Sequence, residues 1–204
     1  MADHPSGPDD ILPTYDRVGP TWAQGRAKSL FERNWLDRFR TSAPGPRILD
    51  LGCGTGDPIA LYLAGCGCVV TGVDGAASLC ALFAAALPGA TVHHADMRGL
   101  SLGTRFDGIL AWDSFFHLAP ADQRAMFATF AAHAAPGAAL MFTSGPAASE
   151  VWGHVAGAPV YHASLAPEEY RALLLANGFE VLAHVAEDPE CDFHTIWLAR
   201  ATSA

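Results

Sequence analysis

Apolar residues recur along the chain in two rhythms. Between Trp22 and Phe39, the positions Ala23, Ala27, Leu30, Phe31, Trp35 and Phe39 fall at intervals of three and four, which predicts one helix with a single buried face. After a turn-rich break at Thr41–Pro46, the short run Ile48–Leu51 ends in glycines, as a buried strand does. The chain then alternates: a helix from about Pro58 to Ala64, a strand at Cys68–Val73, a helix at Ala76–Leu87 and a strand at Ala90–His94. A strand at Phe106–Ala111, a helix at Pro120–Ala134 and a strand at Ala138–Thr143 follow, with Pro120 in the first helical turn, where its missing N–H does no harm. Strands separated by helices imply right-handed crossovers and a parallel sheet covered on both faces, a doubly wound α/β layout.

The last third leaves this rhythm. Gly145–Ala166 shows no period, and a patternless stretch of that length in a compact domain is expected to be functional, as a lid or a substrate loop. A helix at Pro167–Ala176 carries Glu168 and Glu169 in its first turn and Gly178 past its end. Phe179–Ala186 and His194–Ala199 read as a terminal antiparallel hairpin. Residues 1–20, punctuated by Pro5, Pro8, Pro13 and Pro20, read as a flexible arm ahead of one domain over 21–204.

Of the 204 residues half are hydrophobic and 16% are charged, enough apolar surface to offset the ordering of the backbone. The net charge of −9, with scattered Lys and Arg, argues against a nucleic-acid substrate. Neither a secretory signal nor an apolar run of membrane-spanning length stands out, so a soluble, cytoplasmic protein is expected. Five cysteines suit a reducing compartment, and the one-residue spacing of Cys66 and Cys68 does not suit zinc, so no metal is expected.

Candidate chemistry concentrates at Asp50-Leu51-Gly52-Cys53-Gly54-Thr55-Gly56, where a buried strand runs into three alternate glycines and then a helix. Glycines let the backbone turn tightly and approach a ligand. Dinucleotide-binding turns space their third glycine one residue later. Here Asp50 also stands two residues before the first glycine, where a carboxylate repels a pyrophosphate and attracts an ammonium or sulfonium.

With Asp50, Gly52, Gly54 and Gly56 in place, the chain resembles the class I S-adenosylmethionine (SAM)-dependent methyltransferases over roughly residues 45–200. The resemblance implies a Rossmann-like methyltransferase fold: a mostly parallel sheet closed by the antiparallel hairpin, with SAM as cofactor and a small-molecule acceptor. It assigns the glycine turn, Cys53 included, to the cofactor. Asp74 and Gly75 then belong to the ribose end, Asp96 and Met97 to the adenine, and Arg26 to the methionine carboxylate. In Trp112-Asp113-Ser114-Phe115-Phe116-His117, at the fourth strand's end, Trp112 faces the cofactor. His117 is the candidate base and Asp113 a second catalytic candidate. Ser114, together with Tyr15, Trp152, Tyr161 and His162, is the candidate acceptor set. Tyr161 and His162 are adjacent, so only one points inward from an extended chain. Of Phe115 and Phe116, one is expected in the core and one on the wall. His93, His94, His133, His184 and His194 read as structural or surface residues. The rivals are an NAD-dependent oxidoreductase and a noncatalytic SAM-binding regulator; oligomeric state is left open.

Overall fold

The computed structural model describes residues 6–202. Two helices, α1 (Ile11–Gly25) and α2 (Arg33–Ser42), precede β1 (Arg47–Leu51), α3 (Ile59–Gly65), β2 (Val69–Asp74), α4 (Ala77–Ala86), β3 (Thr91–His94) and β4 (Phe106–Ala111). There follow α5 (Pro120–His133), β5 (Ala134–Ser144), β6 (Ser149–Val155), β7 (Ala158–Ser164), α6 (Pro167–Ala176), β8 (Phe179–Asp188) and β9 (His194–Ala201). Seven strands form one sheet in the order β3-β2-β1-β4-β5-β9-β8. The first five are parallel, and β9 runs antiparallel to both β5 and β8, as the terminal hairpin requires.

Burial on both faces explains why the central strands read as continuous apolar runs. In β4, Ile109 and Ala111 join the side packed by Phe127 and Phe130 of α5 and Tyr170 of α6. Leu110 and the following Trp112 join the side packed by Trp35, Leu36 and Phe39 of α2. Strand order reverses beside β1: β2 and β3 lie to one side, β4 and β5 to the other. Open α/β sheets bind ligands at the carboxyl ends of the strands flanking such a reversal. No helix among the described residues is long and apolar enough to cross a membrane.

Three expectations change. Residues 1–20 do not form a loose arm throughout: a 3-10 turn at Pro8–Asp10 leads into α1, and a boundary at residue 20 falls inside that helix. Pro13 sits in the first turn, where no backbone bond is lost, and Pro20 forfeits one. Packing offsets that loss, because Ile11, Thr14, Val18 and Gly19 are buried and Gly19 lies against Leu79 of α4. The single helix expected over 22–39 is broken between Gly25 and Arg33, with Leu30 at φ 53°. Its two ends face different partners: Trp22 lies over the glycine turn, whereas Trp35 and Phe39 pack on the sheet.

The stretch 145–166 is not a structureless lid. It holds the antiparallel pair β6 and β7, joined at Ala156 (φ 48°) and Gly157 (φ 80°). Gln123 of α5 docks this pair, its side-chain amide donating to the carbonyls of Ala163 (2.8 Å) and Leu118 (2.9 Å).

Candidate active site

The glycine turn is shaped by its surroundings. Gly52, Gly54 and Gly56 all have positive φ (72°, 55° and 75°), a region side chains disfavour. A Cβ on Gly52 would collide with Ser114, and one on Gly56 would come within 2.8 Å of Phe83 and Leu87. The N–H groups of Gly52 and Cys53 both donate to the Val73 carbonyl, at 2.8 and 3.1 Å. Asp74 fastens the turn to the head of α4, accepting from Gly54 N–H and Ala76 N–H, each at 2.9 Å. Burial raises the Asp74 carboxyl above its ordinary range, and these two donors work against the rise.

Asp50 is placed differently. It is buried at the floor of the cleft and accepts no hydrogen bond from the described residues. Burial pushes its pKa up to about 7; Arg26 opposes the shift and Asp74 adds to it. A buried carboxylate without a donor is costly. The cleft above it is walled by the glycine turn, Asp74, Gly75, Asp96, Met97 and Trp112, with Tyr15, Trp22 and Arg26 arriving from α1 and the residue after it. Every residue assigned to the cofactor from the sequence lines this cleft, and Tyr15, assigned to the acceptor, lines it as well. Arg26 ion-pairs with Glu32 at 3.4 Å and lies over the Trp22 ring. Asp96 accepts from Arg98 at 2.8–2.9 Å. Arg98 also reaches Asp9 (2.9 Å) and Asp122 (3.4 Å), tying the N-terminal turn and α5 to the loop after β3. No local pattern marks Arg98, since its three partners Asp9, Asp96 and Asp122 lie far apart along the chain.

A second cavity adjoins the first, sharing Tyr15, Trp22, Arg26, Asp113 and His117 with it. His117 is buried, with Nδ1 2.9 Å from the Tyr161 carbonyl and Nε2 3.0 Å from the Tyr15 hydroxyl. A carbonyl only accepts, so Nδ1 carries the hydrogen and Nε2 takes the Tyr15 O–H. Burial lowers the His117 pKa to about 4, so the ring is neutral, with its lone pair already engaged. Burial likewise raises the Tyr15 hydroxyl pKa, aided by Asp113 and Asp74.

Of the acceptor set, His162 and Tyr15 line this second cavity. His162 packs edge-on to Phe116, which forms the wall as expected, while Phe115 is buried in the core. Three assignments move. The Tyr161 ring turns away and donates to Glu150 (2.6 Å), leaving only its carbonyl to hold His117. Trp152 is half exposed on β6, donates to the Ser6 carbonyl (2.7 Å) and lines neither cavity. Ser114 lies in the first cleft, its hydroxyl donated to the Leu51 carbonyl (2.6 Å), where it ties β4 to β1.

Asp113 stands at φ 50°, its N–H donating to the Thr143 hydroxyl (2.9 Å). His194, read from the sequence as structural or surface, lies against Asp113 and lines the second cavity with Phe31, Thr143, Glu187, Asp192 and Phe193. The β8–β9 turn delivers it from more than 80 positions away, a distance no local pattern spans.

The donorless Asp50 carboxylate, the close-set glycines and Asp74 suit a ligand with a cationic end and a ribose. Residues 22–184 match the family described as methyltransferase domain. The chain belongs to the class I SAM-dependent methyltransferases. Among curated methyltransferases, a dTDP-3-amino-3,6-dideoxy-α-D-glucopyranose N,N-dimethyltransferase from Streptomyces fradiae is 36% identical over 133 residues, which are 62% of this chain and 50% of that one. The match therefore spans about half the length of that relative. A SAM-bound amino pentose methyltransferase from Micromonospora echinaspora superposes with a TM-score of 0.69 at 23% identity, covering 94% of this chain and 97% of the other. A SAM-bound magnesium protoporphyrin IX methyltransferase from Synechocystis PCC 6803 gives 0.72 at 16% identity, covering 99% and 100%. At these identities the two structures speak for the shared methyltransferase fold.

Proposed function

We propose that this methyltransferase transfers a methyl group from SAM to the nitrogen of a small amine acceptor of the amino-sugar class. When bound, SAM supplies a methyl group on a sulfonium, activated for displacement. Asp50 would hold its cationic end, the glycine turn and Asp74 its ribose, and Asp96 and Met97 its adenine. The second cavity is the place for the acceptor.

The observation that carries nitrogen over oxygen is the state of His117. An alcohol must surrender its proton to a base as it attacks, and a buried neutral imidazole whose lone pair already accepts from Tyr15 has little basicity to offer. An amine in its free-base form already has a lone pair. Tyr15, its hydrogen aimed at His117, keeps an oxygen lone pair for an acceptor N–H. Asp113 offers carboxylate oxygens to another. Two such anchors orient the nitrogen, and orientation is the main contribution an enzyme makes to a displacement at carbon. The name of the Streptomyces fradiae relative, an amino-sugar N-methyltransferase, supports this reading. Five free cysteines support a reducing, cytoplasmic setting.

Incubation with labelled SAM and matched amino and hydroxy sugars, free and nucleotide-linked, tests the proposal. Label is expected on the amines alone. Equal transfer to the hydroxy sugars would overturn the nitrogen assignment, and SAM binding without transfer to any acceptor would leave the noncatalytic regulator.

A further inference from the structure

Both ring nitrogens of His194 face acceptors. Nδ1 lies 2.8 Å from the Cys191 carbonyl and 3.2 Å from that of Asp192, while Nε2 lies 3.0 Å from Asp113 Oδ1 and 3.2 Å from Oδ2. Carbonyls and carboxylates cannot donate, so only the imidazolium, with a hydrogen on each nitrogen, satisfies this arrangement. The ring is stacked on Trp112 (5.5 Å between centroids) and packed against Phe31 (5.2 Å), and aromatic faces favour a cation.

The backbone around the pair is strained. Asp192 and Phe193 are consecutive left-handed residues (φ 50° and 56°), and Asp113 is a third (φ 50°). Each such conformation costs free energy and persists because its surroundings hold it. The strain at Asp192 and Phe193 accompanies the two carbonyls that reach Nδ1, and the strain at Asp113 accompanies the carboxylate that meets Nε2.

We propose that His194 is a positioning residue of the acceptor site: as a fixed imidazolium it anchors the Asp113 carboxylate at the wall of the second cavity, where the lone pairs not taken by His194 or by the Thr143 hydroxyl (3.4 Å) hold an acceptor N–H. This rests on the reading of that cavity as the acceptor site. The charged and titratable groups around His194 are Asp113 after β4, Tyr15 of α1 and Arg26 after it, His117 beyond β4, His162 on β7, and Glu187, Cys191 and Asp192 in and beside the β8–β9 turn. Burial alone would lower the His194 pKa; hydrogen bonding and charge from Asp113, with the two carbonyls, outweigh burial and bring it up to about 9.

The first test needs neither cofactor nor acceptor. In the full-length protein, ¹⁵N imidazole signals assigned by loss in His194→Gln are followed from pH 5 to 10.5. His194 is expected to remain imidazolium through neutrality, titrating near 9, and to drop below 7 in Asp113→Asn. A midpoint at or below the ordinary value near ~6.5 in the unaltered protein would overturn the proposal. The second test uses an amine found to be methylated. His194→Gln should raise the acceptor KM about tenfold with little change in affinity for S-adenosylhomocysteine. The acceptor amine titrates in both proteins, so the readout is the ratio: acceptor KM of the unaltered protein relative to that of His194→Gln should rise as pH passes 9. A purely structural role gives a loss independent of pH, and that result would also overturn the proposal. If no amine is methylated, the function proposed above fails while the titration still decides the state of His194.

Discussion

Replacing Asp50 with Asn separates what the site needs from what the fold prefers. A folded-state pKa of about 7, against an ordinary 3.8, corresponds to about 4 kcal/mol of cost for keeping this carboxylate ionised. Because the folded-state value is the higher one, the fold binds this proton more tightly than the unfolded chain does. Stability therefore falls as pH climbs from about 4 to about 7 and stays low above that. Asn removes the charge but leaves a buried amide without partners, which returns about 1–3 kcal/mol of the gain. The variant is thus expected to be more stable than the unaltered protein at pH 8 by about 1–3 kcal/mol. In a chain of this length that is a rise in Tm of about 2–12 °C. At pH 5 the folded carboxyl is protonated, and only the cost of protonating a group that is ionised in the unfolded chain, about 1–2 kcal/mol, remains; the amide penalty offsets it, so the difference should shrink toward zero. SAM affinity should move the opposite way, falling about ten- to a hundredfold as a charge-assisted contact is lost. Scanning calorimetry at the two pH values and titration calorimetry with SAM measure both effects. A variant less stable at pH 8, or one that keeps full SAM affinity, would refute the reasoning about this carboxylate.

Other expectations follow from the same geometry. S-adenosylhomocysteine at about 100 times its Kd should stabilise the protein by about 2.7 kcal/mol, and NAD should not; a larger thermal shift with NAD would favour an oxidoreductase. Tyr15→Phe should lower kcat on an accepted amine by about ten- to a hundredfold while S-adenosylhomocysteine affinity holds within about threefold; unchanged kcat would remove Tyr15 from the acceptor site. Gly52→Ala should destabilise by about 1–3 kcal/mol as Ser114 is displaced from the Leu51 carbonyl, and weaken cofactor binding. Gly25→Ala, whose Cβ meets nothing within 4 Å, serves as the control and should stay within about 1 kcal/mol of the unaltered protein.

The doubly wound core was open to sequence reading because its signals are local. Every position of β4 is buried, so apart from Asp107, which is held by Arg47, Phe106–Ala111 reads as an apolar run, and the glycines after β1 advertise their own turn. The β6–β7 hairpin escaped for a physical reason. Its tight turn places Ala156 and Gly157 in the left-handed region, a geometry usually announced by Asn-Gly or Asp-Gly. Most of β6 is exposed on both faces, so no alternation shows. Helix α1 was masked by Pro13 and Pro20, and the bond that Pro20 forfeits is offset by tertiary contacts with Leu79 and the second sheet rather than by anything nearby in the chain. The residues at the ends of β1 and β2 that line the first cleft sit within one short span and could be named in advance. His194 could not, because only the closed sheet carries it to Asp113.

Division of labour along the chain follows from the hairpin at 149–164. It stands outside the main sheet, reaching the second cavity through His162 and the Tyr161 carbonyl, whereas the first cleft is built from residues before 119. With the proposed assignment of the first cleft to SAM and the second cavity to the acceptor, mutational drift in the hairpin and the β8–β9 turn would retune which acceptor is admitted while the methyl source stays the same. A scaffold split in this way lends itself to directed evolution: libraries confined to those two stretches explore new acceptors without spending variants on the half that holds the donor.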